Sequence, residues 1–146
     1  AKNLNIINYD IHNLKKYYDE RWNNTNNLDD IKEPIDFVYA SHSLEHFADL
    51  KILFTKLNKV IHENTYIFIE VPNGLNEKAG RMERIVAPHI HYFAKDFFNN
   101  LNSTCIDLFL SNKKKINDKD LASNDDEENK FIVYLGKGKF NFNEQT

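Results

Sequence analysis

Between positions 41 and 46 the chain reads Ser41-His42-Ser43-Leu44-Glu45-His46, which places hydroxyls, imidazoles and a carboxylate side by side. Such a group can move protons near neutral pH, where an unperturbed imidazole changes charge. It can also bind a metal: His42-x-x-Glu45-His46 has the spelling of the inverted zinc-peptidase motif, in which i, i+4 spacing brings both histidines to one helix face. That chemistry needs His42 to be helical and a third protein ligand, which the sequence does not identify. The bland reading of His46 is a partly buried histidine at the start of a helix. Further polar points are Asp10, closing a short apolar run, Glu70-Val71-Pro72-Asn73, closing another, and Pro88-His89-Ile90-His91-Tyr92-Phe93. Acids and serines at such ends also serve as ordinary turn and cap residues.

The elements that must position these groups follow from hydrophobic periodicity. Leu4 to Tyr9 reads as a strand, Leu14 to Trp22 as a helix, and Asn23-Asn24-Thr25-Asn26-Asn27 as turn, because Asn side chains compete for backbone hydrogen bonds. Asp36 to Ala40 reads as a buried strand. Leu50, Leu53, Phe54, Leu57, Val60 and Ile61 form one apolar stripe at helical spacing, and Tyr66 to Val71 is a near-continuous apolar strand halted by Pro72-Asn73-Gly74. Strand, helix and strand with short links make a βαβ unit and a parallel pair. Ala94 to Leu101 follows as a short helix burying Phe97, Phe98 and Leu101, and Cys105–Leu110 and Phe131–Leu135 as two antiparallel strands. In an open parallel sheet, ligands bind beyond the carboxyl ends of the strands, so Asp10, Ala40 to His46 and Glu70 to Asn73 are candidate site positions.

Composition narrows the partners. The 146 residues, 41% hydrophobic and 13% aromatic, suffice for one core, so the chain is expected to be a single domain. A net charge of −3 gives no reason to expect a nucleic-acid surface, and no run approaches the length of a membrane span. Cys105 is the one cysteine, so no intramolecular disulfide forms; with no signal-like start, a reducing, cytoplasmic setting is expected. Asn117 to Asn129 holds six acids against one Lys, a local −5, and 112–129 is expected to be a flexible, solvated loop.

Taken together, Asp36 to His46, the helix, and Tyr66 to Asn73 ending Glu-Val-Pro-Asn resemble the fourth and fifth strands of class I S-adenosylmethionine-dependent methyltransferases. The subgroup acting on ubiquinone, polysaccharides and sugars is the most similar, and Pro88 to Phe93 resembles its H-x-H-[YF]-F segment. The resemblance covers residues 36–136. It implies an α/β, Rossmann-like, mostly parallel sheet closed by an antiparallel C-terminal hairpin, with S-adenosyl-L-methionine as cofactor and a small-molecule or saccharide acceptor. Asp10, Ala40, Ser41 and His42 would bind the cofactor, and Asn73, His89, His91 and Tyr92 the acceptor. His42 and His91 would be catalytic, and His42 or His46 could act as the proton acceptor for a substrate hydroxyl.

The family holds the methionine end of the cofactor on a glycine-rich turn after its first strand, yet the first glycine here is Gly74. The chain is therefore expected to be the C-terminal part of a methyltransferase, truncated on its N-terminal side, or a shortened relative of one, leaving a sheet edge open to a second copy or a partner chain. A non-catalytic module that pairs through this edge is the alternative function. Asp10 could correspond to the ribose-binding acid after strand two or the adenine-binding acid after strand three. The 26 positions to Asp36 look short for a helix plus another strand, which favours strand three. Small-RNA 2′-O-methyltransferases, with E-x-x-E-H and a later His around a divalent metal, are also similar. Here His42 replaces the first Glu, an exchange that favours Zn²⁺ over Mg²⁺.

Overall fold

The computed structural model describes residues 4–10, 22–74, 91–112 and 130–141, which divide into two units, Ala1–Pro34 and Ile35–Thr146. The helix expected over Leu14 to Trp22 falls, apart from Trp22, outside the described residues. So do 75–88, His89 and the acidic stretch beyond Asn112.

In the first unit, β1 (Ile7–Tyr9) pairs in parallel with β2 (Asn23–Thr25). A strand at 23–25 corrects the expectation of turn there. Asn amides compete with the backbone when isolated, but here they pair with each other across strands: Asn8 Nδ2 donates to Asn24 Oδ1 at 3.1 Å, and Asn23 Nδ2 to Asn5 Oδ1 at 3.1 Å. A 3₁₀ turn, Leu28–Asp30, follows, with Asn27 Oδ1 accepting from the Asp29 N–H.

The second unit is a four-stranded sheet in the order β3 (Ile35–Ser41), β4 (Ile61–Pro72), β6 (Phe131–Phe140), β5 (Asn102–Ser111). β3 and β4 are parallel, as the βαβ pattern requires, and α1 (Leu50–Asn58) makes the crossover. Asp49 caps α1, its carboxylate accepting from the Ile52 N–H at 3.1 Å. The helix is shorter than the apolar stripe, because Ile61 already opens β4, five residues before the expected Tyr66. The C-terminal pair is antiparallel as expected, but β6 lies between β4 and β5, giving two antiparallel pairs to one parallel. The sheet is mixed, not mostly parallel.

One face of this sheet carries the core: Ile67, Ile69 and Val71 of β4, and Ile132 and Tyr134 of β6. Phe54 of α1 stacks on Phe140 at 4.3 Å, and Asn58 clasps Phe140, donating to its carbonyl and accepting from its N–H. Phe98, in the 3₁₀ turn Lys95–Phe98 that stands where a short helix was expected, packs on Tyr134, and Phe93 just before the turn packs on Phe98. β6 outruns the expected Leu135 because Gly136 lets the Tyr134 ring lie along the strand; a Cβ there would sit 2.6 Å from Tyr134 Cζ. β3 corrects the buried reading. It is an edge strand with Phe37 and Tyr39 exposed, and the Tyr39 ring stacks on Phe68 at 5.2 Å.

Candidate functional site

The carboxyl end of β3 is where the polar residues gather. Ser41 pairs in register with Glu70 of β4, so their side chains leave the same face of the sheet. Ser41 Oγ donates to Glu70 Oε2 at 3.1 Å, and His42 Nε2 lies 3.2 Å from the same oxygen. An ionised carboxylate accepts only, so opposite one Nε2 would be the nitrogen that donates. Glu70 is buried, its side chain 5% exposed against 38% for His42. Burial of a carboxylate demands such donors, because an unpaired charge there is costly.

The backbone at His42 is unusual. Its φ is +53°, the left-handed region that a non-glycine residue seldom enters, and its N–H donates to the Glu70 carbonyl at 2.8 Å. The twist turns the imidazole back over β4 while the chain leaves the sheet, and the ring meets Phe131 of β6 edge-on at 5.1 Å. Ser43 then donates to the Ser41 carbonyl at 3.2 Å, and Leu44–His46 forms a 3₁₀ turn. His42 is therefore not helical. His46 Nε2 lies 3.6 Å from Oε1 of buried Glu45, while His42 is engaged with Glu70. The helical face that the zinc-peptidase spelling needs is not formed, and among the described residues no group of three or more His, Cys, Asp and Glu side chains is gathered as a metal would require.

His91 joins the segment after β4 to this turn. Its N–H donates to the Glu45 carbonyl at 3.1 Å and its Nε2 to the Phe47 carbonyl at 2.6 Å. A carbonyl can only accept, so His91 carries its hydrogen on Nε2. Asn73, buried at the end of β4, bridges in parallel to Phe93, and the Gly74 N–H donates to the Phe93 carbonyl at 2.8 Å. A Cβ on Gly74 would meet the Tyr92 carbonyl carbon at 2.9 Å, so this close approach of two chain segments needs glycine. Tyr92 is exposed beside it. Ala40, Ser41, His42, Asn73, His91 and Tyr92 thus lie at or beside the carboxyl ends of β3 and β4.

Asp10 belongs to the first unit. It directly follows β1, its N–H donating to the Thr25 carbonyl at 3.0 Å. The Tyr9 phenol is held above its ordinary pKa by burial and then by the negative charge of Asp10. Since β2 lies between Asp10 and β3, the argument that there is no room for another strand fails, and with it the reason to prefer strand three. A cleft of about 370 Å³ in this unit is lined by Asn5, Asn23, Thr25, Asp30 and Glu33 among others. Its polar groups already bond one another, as in Asn5 Nδ2 to Glu33 Oε2 and Thr25 Oγ1 to Asp30 Oδ2.

A family model described as a methyltransferase domain matches residues 1–104. The chain belongs to this methyltransferase-domain family. No curated protein matches it significantly. Members of such a family generally use S-adenosylmethionine, and the donor set tests the fit. Asp10 offers a carboxylate after β1 in the first unit, and in the second Ser41 and His42 offer polar groups at the end of the parallel strand β3. No glycine precedes Gly74 to hold the methionine end. The sequence reading of this methyltransferase domain placed Glu70 at a candidate strand end but gave it no role and missed its pairing with Ser41 and His42. The available signal was an acid within the apolar run Tyr66 to Val71.

Proposed function

We propose that this chain transfers a methyl group from S-adenosylmethionine to a small-molecule or saccharide acceptor in the cytoplasm. The observation that carries the reading is the convergence of Ser41 and His42 on buried Glu70 at the end of a parallel strand pair, in a chain of the methyltransferase-domain family. Ala40, Ser41 and His42 line the cofactor side. Asp10, after β1, is the acid for the cofactor's ribose hydroxyls. Bound S-adenosylmethionine supplies an electrophilic methyl on a sulfonium that leaves as a neutral thioether. The chain's own work is to orient the acceptor through Asn73, His89 and Tyr92 and to take its proton at His42 or His91.

Calorimetric titration with S-adenosylhomocysteine tests the reading. Binding in the micromolar range is expected. Asp10→Ala should weaken it about tenfold or more, since a hydrogen bond to a charged group contributes about 1.5–3 kcal/mol. A folded wild-type chain that does not bind refutes it.

A second reading is favoured by the edge strand β3 with its exposed Phe37 and Tyr39. It is a non-catalytic module whose open edge pairs with a second copy or a partner chain. Sedimentation that shows a monomer at all concentrations, with ordinary stability, would remove it.

A further inference from the structure

Of the groups at the mouth of the sheet, Glu70 is the one to which neither the motifs nor the family match gives a part. It is a charged side chain in the otherwise apolar stretch Tyr66–Val71 of β4, and one of its oxygens takes both the Ser41 hydroxyl and the His42 imidazole. Its own backbone carbonyl also receives the His42 N–H. The same residue therefore holds His42 by main chain and side chain together, in a backbone conformation that histidine rarely adopts.

We propose that Glu70 is a positioning residue that fixes the hydrogen of His42 on Nε2 and the ring's orientation, leaving Nδ1 as the nitrogen that takes a proton from a hydroxyl acceptor. This rests on the reading of His42 as proton acceptor. In the step it serves, the acceptor's hydroxyl proton passes to Nδ1 and the O–H bonding pair stays on oxygen for the new bond to carbon. The imidazolium so formed already faces the Glu70 carboxylate, whose charge offsets it. The acceptor oxygen belongs to a hydroxyl because an amine attacks through a lone pair it already has, whereas a hydroxyl gains most from losing its proton.

Imidazole ¹⁵N NMR on the full chain tests the assignment, with H42N identifying the resonances. The wild type should show the His42 hydrogen on Nε2 and a ring as ordered as its backbone. E70Q keeps an acceptor oxygen and should keep both features. E70L removes the acceptor, so the fraction with hydrogen on Nδ1 should rise about threefold or more and the ring should become mobile. A merely structural Glu70 would lower the thermal midpoint of E70L and leave the ring spectrum alone; that result overturns the proposal. Wild-type titration with S-adenosylhomocysteine, run alongside, tells the two failures apart. Binding with an unmoved E70L ring removes Glu70 and spares the methyl-transfer reading. No binding removes that reading, and the proton-transfer part of the proposal falls with it.

Discussion

The left-handed backbone at His42 can be weighed by comparing two variants at that position. H42A and H42G both lose the imidazole, its approach to Glu70 and its edge contact with Phe131, so the difference between them isolates a single Cβ. At a φ of +53° that Cβ crowds a carbonyl oxygen, at about 1–2 kcal/mol for a non-glycine residue. Glycine loses more freedom on folding, which offsets about 0.4–1 kcal/mol of the gain. H42G should therefore be the more stable of the two by about 0.5–1 kcal/mol, or about 2–4 °C in Tm for a chain of this size. Ala40, two residues earlier inside β3, provides the opposite sign, since A40G should destabilise by about 0.5–1 kcal/mol. Urea unfolding reads both differences as shifts in midpoint at constant slope. If H42A equals or exceeds H42G, the backbone at 42 relaxes without the ring, and it is then the imidazole's hold on Glu70 that imposes the strain. The intrinsic-strain argument would be refuted.

The Tyr134 phenol is fully buried and its pKa is pushed up to about 12, first by burial and then by neighbouring Cys105, against a smaller opposing hydrogen bond with Asn102. The folded value lies above the unfolded value near 10. Its stabilisation is therefore complete below pH 10 and is lost as pH rises towards about 12, by roughly 2–3 kcal/mol in all. Unfolding free energies measured across that range should fall more steeply for wild type than for Y134F, and parallel curves would contradict this. G136A places a methyl against the Tyr134 ring and should cost about 1–3 kcal/mol by overpacking. In a Y134L background that cost should shrink, and an unchanged cost in chemical denaturation would mean that the ring is not what the glycine accommodates.

The central βαβ unit was legible because its signals are local: a helical stripe from Leu50 to Leu57, apolar runs on either side, and Pro72-Asn73-Gly74 to stop the second. The place of β6 between β4 and β5 was not, since strand order depends on contacts distant in sequence. The short strand Asn23–Thr25 was hidden for a different reason. Isolated Asn residues favour turns, and their pairing with Asn5 and Asn8 becomes visible only when two strands lie in register. That one missed strand also displaced the assignment of Asp10.

Glu70 shows how far the sequence could have been pressed. An acid in the run Tyr66-Ile67-Phe68-Ile69-Glu70-Val71 is a charge that folding will bury, and a buried carboxylate must find donors. With parallel strands and period-two alternation, the candidates are the residues opposite it on β3. A hydroxyl and an imidazole follow each other there at Ser41-His42. The register Ser41↔Glu70 was the missing quantity, because a slip of one residue would turn β4 over, sending Ile67, Ile69 and Val71 off the core face and bringing Glu70 onto the face of β3 that carries Val38 and Ala40. Val38 and Ala40 on that face of β3 have no side-chain donor to offer. The alternative register would bury the charge beside apolar side chains, so the need to satisfy Glu70 selects the observed pairing and brings Ser41 and His42 to the same carboxylate.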